Sequence, residues 1–121
     1  MSVIVTDRGF GQDEWQGPII DLSPDTDPAS LTAAGDALIR IDFPSFADGR
    51  GFTLARLLRA SGFSGRLRAR GHVIADQYAM ARRSGFDEVE ISEELAARQP
   101  EDQWLDRANW RAHDYQTRLR G

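Results

Sequence analysis

The chain has 121 residues, a net charge of −4 and no cysteine, so disulfides, thiolate catalysis and cysteine-held zinc or iron–sulfur clusters are excluded. All fifteen basic residues are arginine, which also removes Schiff-base lysines, a lysine general base and the lysine of a Walker A phosphate loop. The length suits one α/β domain over 1–121, 40% of the residues are hydrophobic, and no apolar run approaches the roughly 18 residues of a membrane span.

Val3-Ile-Val5 reads as a short strand, and no basic stretch precedes a long apolar one as in a signal peptide. Gly9 to Gly17 is a polar turn region. Pro18-Ile-Ile-Asp-Leu22 is expected to return antiparallel to the first strand. Ser23 to Pro28 is loop, and Asp27-Pro28 suits the N-cap and first-turn proline of a short helix over 28–34. Ala37–Phe43 is a strand. Residues 51–60 form a helix, with Leu54, Leu57 and Leu58 on one face and Arg56 and Arg59 on another. Arg66–Arg70 is a second strand, 72–84 a second helix closed by Gly85, and Phe86–Ile91 a third strand.

This alternation predicts right-handed crossovers and parallel strands. The fold class is α/β: a small βαβαβ core, an N-terminal strand or hairpin, and a C-terminal amphipathic helix. Strand 66–70 carries Arg66, Arg68 and Arg70 on one face, which a strand covered on both faces does not do. It is expected at a sheet edge, or with its second face open to solvent, a ligand or another subunit. Ser92-Glu-Glu-Leu95 can cap a short helix. Pro100-Glu-Asp102 opens the terminal helix to about 119, with Leu105, Ala108, Ala112, Tyr115 and Leu119 at helical spacing. That helix either wraps back on the sheet or packs on a second copy, so a homodimer is one expectation.

Charge is segregated. Residues 1–39 hold one arginine against seven acids (−6), 40–83 nine against three (+6), and 84–121 five against nine (−4). The basic middle block points to a small anion or an acidic partner surface, while the acidic total disfavours nucleic acid. Asp48-Gly-Arg-Gly51 falls where a strand ends and a helix begins, the ligand-binding edge of parallel sheets. Helix N-termini favour anions; Gly49 and Gly51 would let the backbone approach a ligand, and Arg50 would add a bidentate contact. Against that stands a plain turn with Asp48 as cap and Arg50 solvated. Arg56, Arg59 and Arg68 could extend such a site. The cofactor is undetermined, since neither GxGxxG nor GxxxxGK[ST] is present.

His72 and Asp76 are four apart, but two ligands make no metal site. Asp76 suits a helix first turn, and Gln77 is placed to bond across to the 48–51 turn. Asp48 and Asp76 are the candidate catalytic acids, with scaffolding as the alternative for both. His113 is expected at the surface, and no serine–histidine–acid set is evident.

Phe43-Pro44, Phe46, Asp48-Gly-Arg-Gly-Phe52, Ala55-Arg-Leu-Leu-Arg59, Leu67-Arg-Ala69, Gly71, Val73, Asp76-Gln77 and Gly85-Phe-Asp87 together resemble DUF934, a bacterial family of unknown function. The resemblance runs from about Asp21 to Glu90. It departs from the family at His72, where an acid is usual, and at Ser84, where many members have cysteine. It implies a cytoplasmic protein encoded near sulfite reductase and adenylyl-sulfate reductase genes, in a family sometimes described as oxidoreductases. Three readings follow. The first is an accessory protein of assimilatory sulfite reduction that binds a small anion or docks on a pathway enzyme. The second is a small enzyme acting on a sulfur oxyanion or phosphorylated metabolite at the Asp48–Arg50 turn. The third is a structural or assembly subunit.

Overall fold

The computed structural model describes residues 2–27, 29 and 36–111. Its strands are β1 (Ser2–Thr6), β2 (Gly9–Gly11), β3 (Ile19–Leu22), β4 (Leu38–Phe43), β5 (Leu67–Gly71) and β6 (Glu88–Ser92). They form one mixed sheet in the order β2-β1-β6-β5-β4-β3. The four strands β3 to β6 run parallel, while β1 is antiparallel to both β6 and β2. The helices are α1 (Arg50–Ala60), α2 (Tyr78–Ser84, after a 3-10 turn over Ala75–Gln77), α3 (Glu93–Arg98) and α4 (Glu101–Leu105).

The expected α/β architecture is present, with four differences. Segment 19–22 pairs in parallel with β4 and not with β1, whose antiparallel partner in the hairpin is β2. β5 lies inside the sheet between β6 and β4, so its arginines mark the face away from the helical core and not an edge, and Arg68 on that face is buried, not open. His72 to Ile74 is not helical, because Gly71 adopts φ +116° and the helical segment starts at Ala75. Among the described residues the terminal segment is the five-residue α4 followed by turns over 106–109. The helices expected over 28–34 and beyond 111 fall almost wholly outside the described residues.

Period-2 alternation divides the sheet. Ile39, Ile41, Phe43, Leu67, Ala69, Val89 and Ile91 join one core with Phe52, Leu54, Ala55 and Leu58 of α1, Tyr78 and Ala81 of α2, and Trp104 of α4. Tyr78 and Trp104 meet edge to face, 6.0 Å between centroids. The parallel strands follow one another across the sheet without reversing direction. Right-handed crossovers then put α1 and α2 on the same side.

The other face carries Arg40, Asp42, Arg68, Arg70, Glu88 and Glu90. Residues 12–18 cross it, because the chain leaves β2 at one edge and must enter β3 at the other. Five inter-strand spacings amount to about 24 Å, and the eight steps from Gly11 to Ile19 reach about 26–29 Å. The segment is a short strap, turned locally at Asp13, whose side chain accepts from Trp15 N. Asp13 ties it to Arg68, Trp15 lies beside the Arg66 guanidinium, and the Pro18 carbonyl accepts from Leu38 N at 3.0 Å.

Candidate functional site

Strand β4 ends at Phe43, and the following turn delivers Asp48 and Arg50 to the start of α1. Asp48 Oδ1 accepts from the Arg50 backbone N–H (3.1 Å) and Nε (3.0 Å), while Oδ2 accepts from Nη2 (2.7 Å). These bonds hold the Asp48 carboxyl below its usual range and raise Arg50. Asp48 therefore supplies its own carboxylate where an external anion would bind. The space above Gly49 is open. Gly51 has a packing reason: a Cβ there would lie 2.5 Å from the ring of buried Phe43.

Arg56 is exposed and makes no ion pair among the described residues. Arg59 turns inward, donating to the carbonyls of Gly85 (3.0 and 2.7 Å), Phe63 (3.1 Å) and Gly65 (2.7 Å) and to Asp87. It clamps the loops that enter β5 and β6, and its donors are used up. Arg56 and Arg59 do not share a site.

Arg68 is sealed on the strap face at 1% exposure. It donates to Glu88 (2.6 Å), Glu90 (2.8 Å) and both oxygens of Asp13 (3.0 Å each). Burial opposes its charge, but the Asp13, Glu88 and Glu90 carboxylates outweigh that and raise its pKa. Arg40 bonds Asp21 bidentately and reaches Glu90 at 3.1 Å. Arg66 donates to Glu88, and Arg70 lies 3.4 Å from Glu90. This ladder was not anticipated. Its signal was present, since Glu88-Val-Glu-Ile91 alternates in the same period as Arg66-Leu-Arg-Ala-Arg70, with the opposite sign.

Asp76 pairs with Arg107. Gln77 donates to the Phe46 carbonyl at 2.9 Å and accepts from Ile74 N at 3.1 Å, so it reaches the turn between β4 and α1 two residues ahead of Asp48. His72 donates its backbone N–H to the Phe43 carbonyl, which also lies 3.3 Å from its ring Nδ1. No group of three metal-ligating side chains occurs among the described residues, and His113 lies outside them.

The structure thus brings Gln77 toward the turn of Asp48, Gly49, Arg50 and Gly51, engages Arg59, Arg68 and Asp76 elsewhere, and leaves Arg56 exposed outside the turn. A cavity of about 450 Å³ at the C-terminal ends of β4 to β6 is lined by Asp42, Arg70, His72, Glu90 and Ser92, and by none of Asp48, Arg50 or Arg68. Ligand crevices in open parallel sheets form where strand order reverses direction, and β3 to β6 contain no reversal. No described helix is long and apolar enough to cross a membrane.

No curated protein and no solved structure matches this chain. A family model described as a bacterial protein of unknown function matches residues 19–121, which include β3 to β6, the Asp48–Gly51 turn and the Arg68–Glu88–Glu90 ladder, but not the N-terminal hairpin or the body of the strap. With that match over most of its length, the chain belongs to DUF934.

Proposed function

We propose that this chain is an accessory protein of assimilatory sulfite reduction that docks on an enzyme of the pathway. The pathway rests on the family resemblance. Docking, in preference to turnover, is supported by one observation: Asp48, Arg50 and Arg68 do not converge. Asp48 and Arg50 satisfy each other on an exposed turn, while Arg68 is enclosed by three carboxylates on another face.

What remains accessible is a mosaic of both signs. Asp21, Arg66 and Arg70 keep 61%, 48% and 51% of their side chains exposed, and Glu14 stands exposed on the strap. Such a surface contributes orientation and association rate to a protein interface, and its binding weakens with salt.

The test is calorimetric titration of the purified protein into sulfite reductase and adenylyl-sulfate reductase. Saturable, salt-sensitive binding is expected with one of them, weakened about tenfold by Arg70→Glu, equivalent to about 1.4 kcal/mol. Absence of binding to both would refute docking. A thermal-shift screen against sulfate, sulfite, adenylyl sulfates, nicotinamide nucleotides and flavins supplies the contrast, since a ligand of the native state raises the melting temperature. A shift abolished by Arg50→Ala would favour a small-molecule site at the turn.

A further inference from the structure

The two edges of the sheet differ in kind. At one edge β2 has only three residues, and the carboxylate of Glu101 on α4 accepts from Phe10 N at 2.8 Å, so the outer side of that strand is engaged. At the other edge β3 has no outer neighbour among the described residues. Within Ile19–Leu22 there is no proline and no bulge, and its one charged side chain, Asp21, is held by Arg40. Ile19 is 38% exposed. Beside the same edge, a cavity of about 230 Å³ lined by Pro24, Thr26, Arg50, Thr53, Leu54 and Leu57 lies open on the helix side, and Leu57 is 47% exposed.

The ladder fixes which groups face outward. Ile19 is level with Leu38, and Leu38 N donates to the Pro18 carbonyl. In a parallel ladder every second residue turns its N–H and C=O to a given neighbour. Ile20 and Leu22 therefore turn theirs toward β4, leaving the N–H and C=O of Ile19 and Asp21 directed away from the sheet. We propose that this edge pairs with the same edge of a second copy, β3 antiparallel to β3 about a twofold axis through Ile20, to give a continuous twelve-stranded sheet.

The register follows from which residues can face each other. An axis at Ile20 sets Ile19 of each copy opposite Asp21 of the other, and all four outward groups pair within the strand. An axis at Asp21 would oppose two aspartates, which is unfavourable. An axis at Ile19 would draw in Gly17, which lies in a bend outside β3. With the axis at Ile20, each Asp21 keeps its bidentate Arg40, and the two Ile20 side chains meet on the helix side of the sheet. The contact is isologous, as most homodimers are. Four residues per copy make a short interface, so the dimer is expected to depend on concentration.

The absence of cysteine makes the pairing directly readable. Opposed residues of the non-hydrogen-bonded type have Cα atoms about 4.5 Å apart, within the span of a disulfide. Ile20→Cys should oxidise to a covalent dimer, resolved on a non-reducing gel. Ile19→Cys should do so at least tenfold more slowly, because its own copy sits diagonally, about 7–8 Å away. Light scattering of the unmodified protein should show its mass rising toward twice 13.5 kDa with concentration. Ile19→Pro should hold it at one, since proline removes an outward N–H at the first position of the strand. An unchanged melting temperature of dilute Ile19→Pro shows that the monomer still folds. A monomer at every concentration, or equal cross-linking at positions 19 and 20, would overturn the proposal.

Discussion

Arg68 shows how much of this protein's charge serves its own fold. Glu88 and Glu90 are 1% and 5% exposed, and carboxylates at that depth persist as ions only when paired and hydrogen-bonded. Removing one partner of a buried pair costs about 3–5 kcal/mol, a large share of a total stability of about 5–15 kcal/mol. Arg68→Ala is therefore expected to destabilise by that amount in urea or guanidinium titration. An arginine kept only for a ligand would leave the midpoint unchanged.

The same pairs set the response to acid. Hydrogen bonds from Arg68 hold the Asp13 carboxyl low, and bonds from Arg40 do so for Asp21. Burial pushes Glu90 up, but the bond from Arg68 and the charge of Arg40 more than offset it, so its net direction is also down. A carboxyl depressed in the folded state contributes stability that is present above its unfolded pKa of about 4 and is lost as pH falls through the folded value. The melting temperature should change little between about pH 5 and 7 and decline below about pH 4. Asp13→Asn should lower the plateau and shallow the decline, as thermal melts across that range would show.

At the scale of elements, glycine placement separates packing from recognition. Gly51 sits in the first turn of α1, where backbone near a ligand and backbone against a ring make the same demand. The ring is there: Phe43 packs on Phe52 and Phe86 at 4.9 and 5.8 Å between centroids. Gly51→Ala should therefore cost about 1–3 kcal/mol by overpacking, read as a fall in melting temperature without any ligand present.

The elements themselves were legible where one face is buried. Ala37–Phe43, 51–60, 66–70 and 86–91 each carry an apolar period, and each lies within two residues of its structural counterpart. Pairing was less legible, because alternation reports which face is buried and not which strand lies alongside. Segment 19–22 alternates as a partner of β1 would, yet it lies beside β4. The candidate site was legible as a turn between β4 and α1. The partners of its arginines were not, since Asp13 lies 55 residues from Arg68 in sequence and only the strap brings them together.

Across the whole molecule, the segregation of charge along the chain resolves into contact between blocks. The basic middle block meets the acidic first block at Asp7–Arg82, Asp13–Arg68 and Asp21–Arg40, and the acidic last block at Asp87–Arg59, Glu88–Arg66 and Glu90–Arg68. A net positive run in the sequence is thereby largely paired within the fold.

The strap has a consequence for how such a chain can change its length. Surface loops usually tolerate insertion and deletion alike, because closing a slightly longer or shorter loop costs little entropy. Here the connection between β2 and β3 is also a ruler. An added residue would bulge harmlessly away from the sheet. A lost one takes about 3.3 Å from that reach and strains the contact of Asp13 with Arg68. Descendants of this chain are expected to lengthen between Gly11 and Ile19 more readily than they shorten.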